Sequence, residues 1–181
     1  MQLPKTIDNK NGEVLIFKAL KRDAQGEYLE VENFVSPGAG PPMHTHHRQE
    51  EALTVVTGKI AYQVNGEAVK YAGPGEQVVF KPGVSHKFWN AGQDTLHCVG
   101  YIRPPDNIVY FLGEIFESQA RAQSPRPSMI DAAFLMTKYK SEFRMDEIPA
   151  PVQTLLFPIL IAIGKLTGKL KRYENAPPPV I

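Results

Sequence analysis

Several side chains in this sequence have the types and spacing of metal ligands. His44, His46 and His47 are followed almost at once by Glu50 and Glu51, and a later imidazole, His86, comes just after Pro82-Gly83. Side chains alternate between the two faces of a strand. His44 and His46, two apart, therefore project to one side and can aim their nitrogens at a single ion. His47 points the other way and is left out. Imidazole together with carboxylate suits Fe, Mn, Co, Ni, Cu or Zn, and suits Mg or Ca poorly. Strand phase chooses between the two glutamates. Glu51, Leu53 and Val55 share one face, and Glu50, Ala52 and Thr54 share the other. The first set carries bulkier apolar side chains and so looks inward, which selects Glu51 and leaves Glu50 as a solvated neighbour. The expected centre is one divalent transition metal on His44, His46, Glu51 and His86.

The elements that position these ligands read as short strands. Residues 13–20 and 28–35 alternate around the turn signal Asp23-Ala24-Gln25-Gly26. Residues 52–57 and 59–64 follow, linked at Gly58. Asn65-Gly66 is a two-residue hairpin signal joining 60–64 to 67–71. Gly73-Pro74-Gly75 and Lys81-Pro82-Gly83 punctuate the next runs, at 77–80, 86–90 and 95–102. Strands this short at this spacing indicate an all-β sandwich or barrel, here over residues 1–109. From about residue 110 the pattern turns helical. Ser128-Met129-Ile130-Asp131 has the form of a capping box ahead of a run at 132–140. Leu155, Ile159, Ile163, Leu166 and Leu170 recur at helical spacing, with Pro158 as a kink or late start. That stripe is expected to pack on the barrel or on a second subunit, making 110–181 a helical extension.

Bulk composition narrows the function classes. A chain of 181 residues with 43% apolar and 22% charged residues is one ordinary globular domain with a real core. Twenty basic against nineteen acidic side chains lack the surplus that nucleic-acid binding needs. A single cysteine, Cys98, permits no intrachain disulfide and reads as a small core residue. The opening residues Met1-Gln2-Leu3-Pro4 have no apolar run of a signal peptide, and residues 155–163 are too short to span a bilayer. The expected location is cytoplasmic, with no membrane partner.

The ligand spacing resembles a known pattern. Gly38, His44, His46, Glu51 and Gly58 stand as in the first cupin motif without a gap, and Gly58 falls in register with Glu51. Gly83, His86 and Asn90 fit the second cupin motif. There Pro82 adjoins Gly83, where the pattern has one residue between them and Lys81 stands instead, a departure confined to a turn. The resemblance covers about 13–102. It implies a jelly-roll β-barrel (a double-stranded β-helix) holding a metal (Fe, Mn, Ni, Cu or Zn) near its centre, with open coordination positions. It also implies pairing through barrel edges, hence a homodimer, an idea that a monomeric mass in light scattering would end.

Such a site is similar to those of small quercetinase-like cupins. The reading is a metal-dependent oxygenase acting on a small enol or aromatic substrate, with Glu51 as catalytic base. Tyr62, Phe88 and His97 are candidate pocket walls. One alternative is Lewis-acid isomerisation or decarboxylation of a small oxo acid, disfavoured because no arginine lies between Arg48 and Arg103. Another is a non-catalytic small-molecule-binding or sensing protein.

Overall fold

The computed structural model describes residues 2–181. Strand β1 is Lys5–Asp8, β2 Glu13–Asp23, β3 Gly26–Val35, β4 His44–His46, β5 Glu50–Thr57 and β6 Ile60–Val64. Then come β7 (Lys70–Ala72), β8 (Gln77–Phe80), β9 (Ser85–Asn90) and β10 (Leu96–Arg103). Helices α1 (Ile108–Ala122), α2 (Met129–Lys138) and α3 (Phe157–Leu166) follow, with β11 (Phe143–Met145) between the last two.

The strands form two antiparallel sheets, ordered β1-β2-β3-β10-β5-β8 and β11-β4-β9-β6-β7. They do not close into a barrel. Closure would need the free edge of β4 to meet the larger sheet, but β11 occupies that edge, pairing Phe143 with His46 and Met145 with His44. Side chains join the sheets instead. Val35, Leu53, Phe80 and Leu96 of the larger pack with Ile60 and Phe88 of the smaller. A second core lies where Phe17, Leu29 and Ile102 meet Ile108 of α1, Leu135 of α2 and Tyr139 just after it.

Local chemistry explains most boundaries. Alternating burial along β3, with Leu29, Val31 and Val35 inward, is the signature of a half-buried strand. The β2–β3 hairpin turns where Asp23 pairs with Gly26, whose φ of +114° suits glycine. The expected two-residue hairpin at Asn65-Gly66 is not formed. Tyr62 sits opposite Lys70, which leaves one residue more in the turn, and only Gly66 has positive φ. Ser128 caps α2 as expected, its side chain accepting from Asp131 N at 3.2 Å, though the helix begins at Met129 rather than 132.

The C-terminal stripe does not pack as one face within the chain. Leu155, Ile159, Ile163 and Leu166 face solvent, and of the stripe only Leu170 is buried. Nearly every residue of α3 is apolar, so periodicity could not choose a face. Packing chose it through Gly164, where an added Cβ would come within 2.7 Å of Ile130 Cγ2 and 2.8 Å of Leu170 Cγ. Among the described residues, no helix is long and apolar enough to cross a membrane.

Candidate metal centre

The centre is assembled from three strands. β4 and β9 pair with His44 directly opposite His86, and β5 of the other sheet supplies Glu51. One ligand atom from each of His44, His46, Glu51 and His86 lies within 4.8 Å of the other three. The link between sheets is Phe80. It sits opposite Glu51 across β5 and β8, and its ring stacks on His86 with centroids 3.8 Å apart. Sequence reading missed Phe80, whose apolar type carries no ligand signal. Glu50 faces outward, taking Lys81 Nζ at 2.5 Å and Tyr101 Oη at 2.6 Å.

Hydrogen bonding sets the ring orientations. His44 Nδ1 lies 2.8 Å from Pro42 O, and His86 Nδ1 lies 2.8 Å from Val84 O. A carbonyl can only accept, so both Nδ1 atoms carry the proton and leave Nε2 as the inward atom. Metal-bound histidines are held in this way by their second nitrogen. His46 lacks that bond. Its Nδ1 is buried without a partner, and the Phe143 ring packs against it edge-on at 5.6 Å.

His86 Nε2 stands 3.2 Å from Glu51 Oε2, and His46 Nε2 stands 3.9 Å from the same atom. Burial, then the neighbouring His86, holds His44 down at about 4. Burial, then His44, holds His46 down at about 3. Burial pushes the Glu51 carboxyl up, but the His86 hydrogen bond and the three nearby imidazoles outweigh it and leave it at about 2. At neutral pH Glu51 is therefore a carboxylate, and His44 is neutral with the lone pair of Nε2 turned inward. Acceptors crowded in a buried space need a cation or a proton between them. A divalent ion with bonds of about 2.1 Å fits such a donor set.

A clamp on the outer face holds these strands, and nothing in the sequence marked it. Asp146 Oδ2 accepts from Thr45 Oγ1 at 2.6 Å and from Ser85 Oγ at 2.8 Å. Thr45 and Ser85 are paired across β4 and β9, so one carboxylate ties the strands that carry three of the ligands.

His44, His46 and Glu51 line a cavity of about 840 Å³ between the sheets and the helical segment. Leu53, Phe88, Phe111 and Phe116 form apolar wall, with Met136 of α2. Phe88 is thus in the wall. Tyr62 and His97 are not. Tyr62 packs against Phe80 at 6.1 Å, and His97 lies on the outer face of β10, stacked on Phe34 and bonded to Glu32 at 2.8 Å. Leu96 and Cys98, on either side of His97, are the buried residues of this stretch of β10. Burial pushes the Cys98 thiol up to about 12, as befits an inert core residue. Two arginines that sequence reading placed outside the barrel, Arg126 and Arg144, reach the cavity wall.

The same cavity has a second polar patch, which sequence reading did not anticipate. Glu13 and Asn33 lie on inward faces of β2 and β3, 7% and 3% exposed. Asn33 Nδ2 donates to Glu13 Oε1 at 2.9 Å. Burial raises the Glu13 carboxyl to about 7, against the Asn33 bond and with help from the Glu51 charge.

The cupin domain model matches residues 34–100. No curated protein sequence matches the chain. Among solved structures, one similar to it is an uncharacterized conserved protein with a double-stranded beta-helix domain from Klebsiella pneumoniae. It has 21% identity and a TM-score of 0.46, over 52% of this chain and 74% of that one. Another is KdgF from Halomonas sp., with 21% identity and a TM-score of 0.46, over 54% and 86%. A third is a sugar phosphate isomerase from a cupin superfamily from Silicibacter pomeroyi, with 19% identity and a TM-score of 0.44, over 54% and 63%.

Proposed function

We propose that the chain, whose residues 34–100 match the cupin domain model, is a metal-dependent oxygenase acting on a small enolic or aromatic substrate. The observation that carries this reading is that His44, His46 and Glu51, three members of the four-residue cluster, stand in the wall of a large, mostly apolar cavity. A divalent transition metal held by His44, His46, Glu51 and His86 would supply a Lewis acid with open positions and, if redox-active, a path for electrons to dioxygen.

The chain's own residues supply the rest. Leu53, Phe88, Phe111 and Phe116 exclude water and favour a flat ring. Glu51 Oε2 takes the proton of a substrate hydroxyl brought against it, a role suited to a carboxylate that is ionised at neutral pH. A second reading, Lewis-acid isomerisation or decarboxylation of an oxo acid, draws support from Arg126. That cation lines the cavity and pairs with no carboxylate among the described residues. Arg144 is held by Asp146 Oδ1 at 2.5 Å.

The test is elemental analysis of the wild type beside His86→Ala and Glu51→Ala, followed by oxygen uptake with flavonols and catechols. The expected result is about one redox-active metal per chain, weakened in both variants, with uptake that follows the metal. Zinc alone, with no oxygen consumed, would move the assignment to Lewis-acid chemistry or to simple binding. No metal after reconstitution with iron, manganese and nickel would end both enzyme readings.

A further inference from the structure

The Glu13–Asn33 pair is out of place for an apolar cavity wall. Glu13, Leu15 and Phe17 form the inward face of β2, and Leu29, Val31, Asn33 and Val35 that of β3. A buried carboxyl without a purpose costs stability, because desolvation disfavours its charge.

The neighbouring polar side chains are partly occupied within the protein, although Asn33 Oδ1 and Gln119 Oε1 are buried without a hydrogen-bond partner. Asn9 Oδ1 accepts from Asn11 N at 2.8 Å and from Glu13 N at 3.1 Å. Asn11 Nδ2 donates to Asn9 O and Ser124 O. Gln119 Nε2 donates to Pro125 O at 2.7 Å. Glu13 Oε1 is held by Asn33. Glu13 Oε2 makes no hydrogen bond among the described residues, and Glu13 lines the cavity. Glu13 Oε2 is thus a carboxyl oxygen fixed in position through Oε1 and left for a ligand, beside the unpartnered amide oxygens of Asn33 and Gln119.

We propose that Glu13, positioned by Asn33, is a second substrate-binding group that accepts a hydrogen bond from a hydroxyl at the end of the ligand away from the metal. This rests on the oxygenase reading only for the choice of ligand class. The ligand it selects is a hydroxylated aromatic with an enol or catechol group for the metal and a further hydroxyl for Glu13. Apolar wall between the two patches, including Leu15, Val31 and Leu53, accepts the ring that joins them.

The experiment is a fluorescence titration of 3-hydroxyflavone and 3,4′-dihydroxyflavone on metal-loaded and metal-free protein. It uses the wild type, Glu13→Gln and Glu13→Leu. Hydrogen bonds to a charged group are worth enough to give roughly a 10- to 100-fold preference for the dihydroxy compound in the wild type. That preference, read as the ratio of the two affinities within each variant, should shrink in Glu13→Gln and vanish in Glu13→Leu. Thermal melts of both variants check that they fold, and Glu13→Gln keeps the shape of the side chain if Glu13→Leu does not. Equal affinities in the wild type, or a preference that survives Glu13→Leu, overturns the subsite. So does failure of either flavone to bind. Oxygen uptake with both flavones at equal affinity would keep the oxygenase and discard the subsite. A Glu13-dependent preference without oxygen uptake would do the reverse.

Discussion

The metal patch and the Glu13–Asn33 patch share one cavity, yet the chain assembles them differently. At the metal patch, His44, His46 and Glu51 lie within one short stretch, and a single strand pairing brings in His86. His44 and His86 are then fixed by backbone carbonyls two residues away, at Pro42 and Val84. At the other patch, the glutamate and asparagine come from neighbouring strands, and the surrounding wall comes from α1 and the segment after it. The first patch is a local device that the fold brings together once. The second exists only after β2, β3 and the helical segment have packed. Local chemistry therefore sets what the centre binds, and tertiary packing sets what else can fit beside it.

The severest way to break the comparison is to damage the strand both patches depend on. β10 lies between β3 and β5, and Gly100 stands opposite Val31 on one side and Leu53 on the other. An added Cβ there would overlap the Ala52 carbonyl, which is backbone and cannot swing aside. Gly100→Ala is expected to cost about 3 kcal/mol or more, lowering the thermal midpoint by roughly 6–12 °C. Both metal content and flavone affinity should suffer. An unchanged melting curve would show that the sheet yields at this point and that the patches do not share a rigid support.

The next effect separates the patches by pH. The folded-state value of Glu13, about 7, lies above its ordinary 4.5. Below 4.5 the carboxyl is protonated whether the chain is folded or not. As pH rises from 4.5 to 7 the unfolded chain releases that proton first, so stability falls, by up to about 3 kcal/mol, and then levels off. Glu13→Gln removes this slope. Urea unfolding at pH 5 and pH 8 should show the variant gaining on the wild type at the higher pH. The same difference at both pH values would mean that Glu13 ionises as freely as in water, and that its patch is wet.

How far the sequence disclosed each patch follows from the range of its interactions. Period-two alternation and the cupin spacing were enough for His44, His46, Glu51 and His86, and for the run of short strands. The same phase rule that selected Glu51 would have flagged Glu13 beside Leu15 and Phe17, and Asn33 beside Val31 and Val35. Both were read only as parts of strands. Closure was misjudged because β11 is three residues long and lies about a hundred residues from the strand it covers. No local pattern announces a strand that short. Which face of α3 turns inward was not legible for the opposite reason, since a helix apolar on all sides gives periodicity nothing to choose from.

The outer clamp offers a milder cut at the metal patch alone. Asp146→Ala would release Thr45 and Ser85 without touching a ligand. Loss of such outer support weakens metal binding by about 10-fold or more. Competition with a chelator should show this, while the Glu13-dependent flavone preference of metal-free protein stays intact. If metal affinity holds, the backbone pairing of β4 with β9 suffices to place the histidines, and Asp146 serves only to dock β11.

The smallest effect comes from His97, whose imidazole type alone made it a candidate. Its partner Glu32 lies on the outer face of the sheet and is shared with Lys18 at 2.9 Å, so the charge there keeps a partner when the imidazole is removed. What is lost is one partly exposed ion pair and a stacking contact with Phe34 at 4.4 Å. Exposed pairs contribute little, so His97→Ala is expected to cost about 1 kcal/mol or less. Metal content and flavone affinity should not move. A drop in either would mean that β10 transmits strain from its outer face to the cavity. The two patches would then be coupled through that strand and could not be treated as separate sites in one cavity.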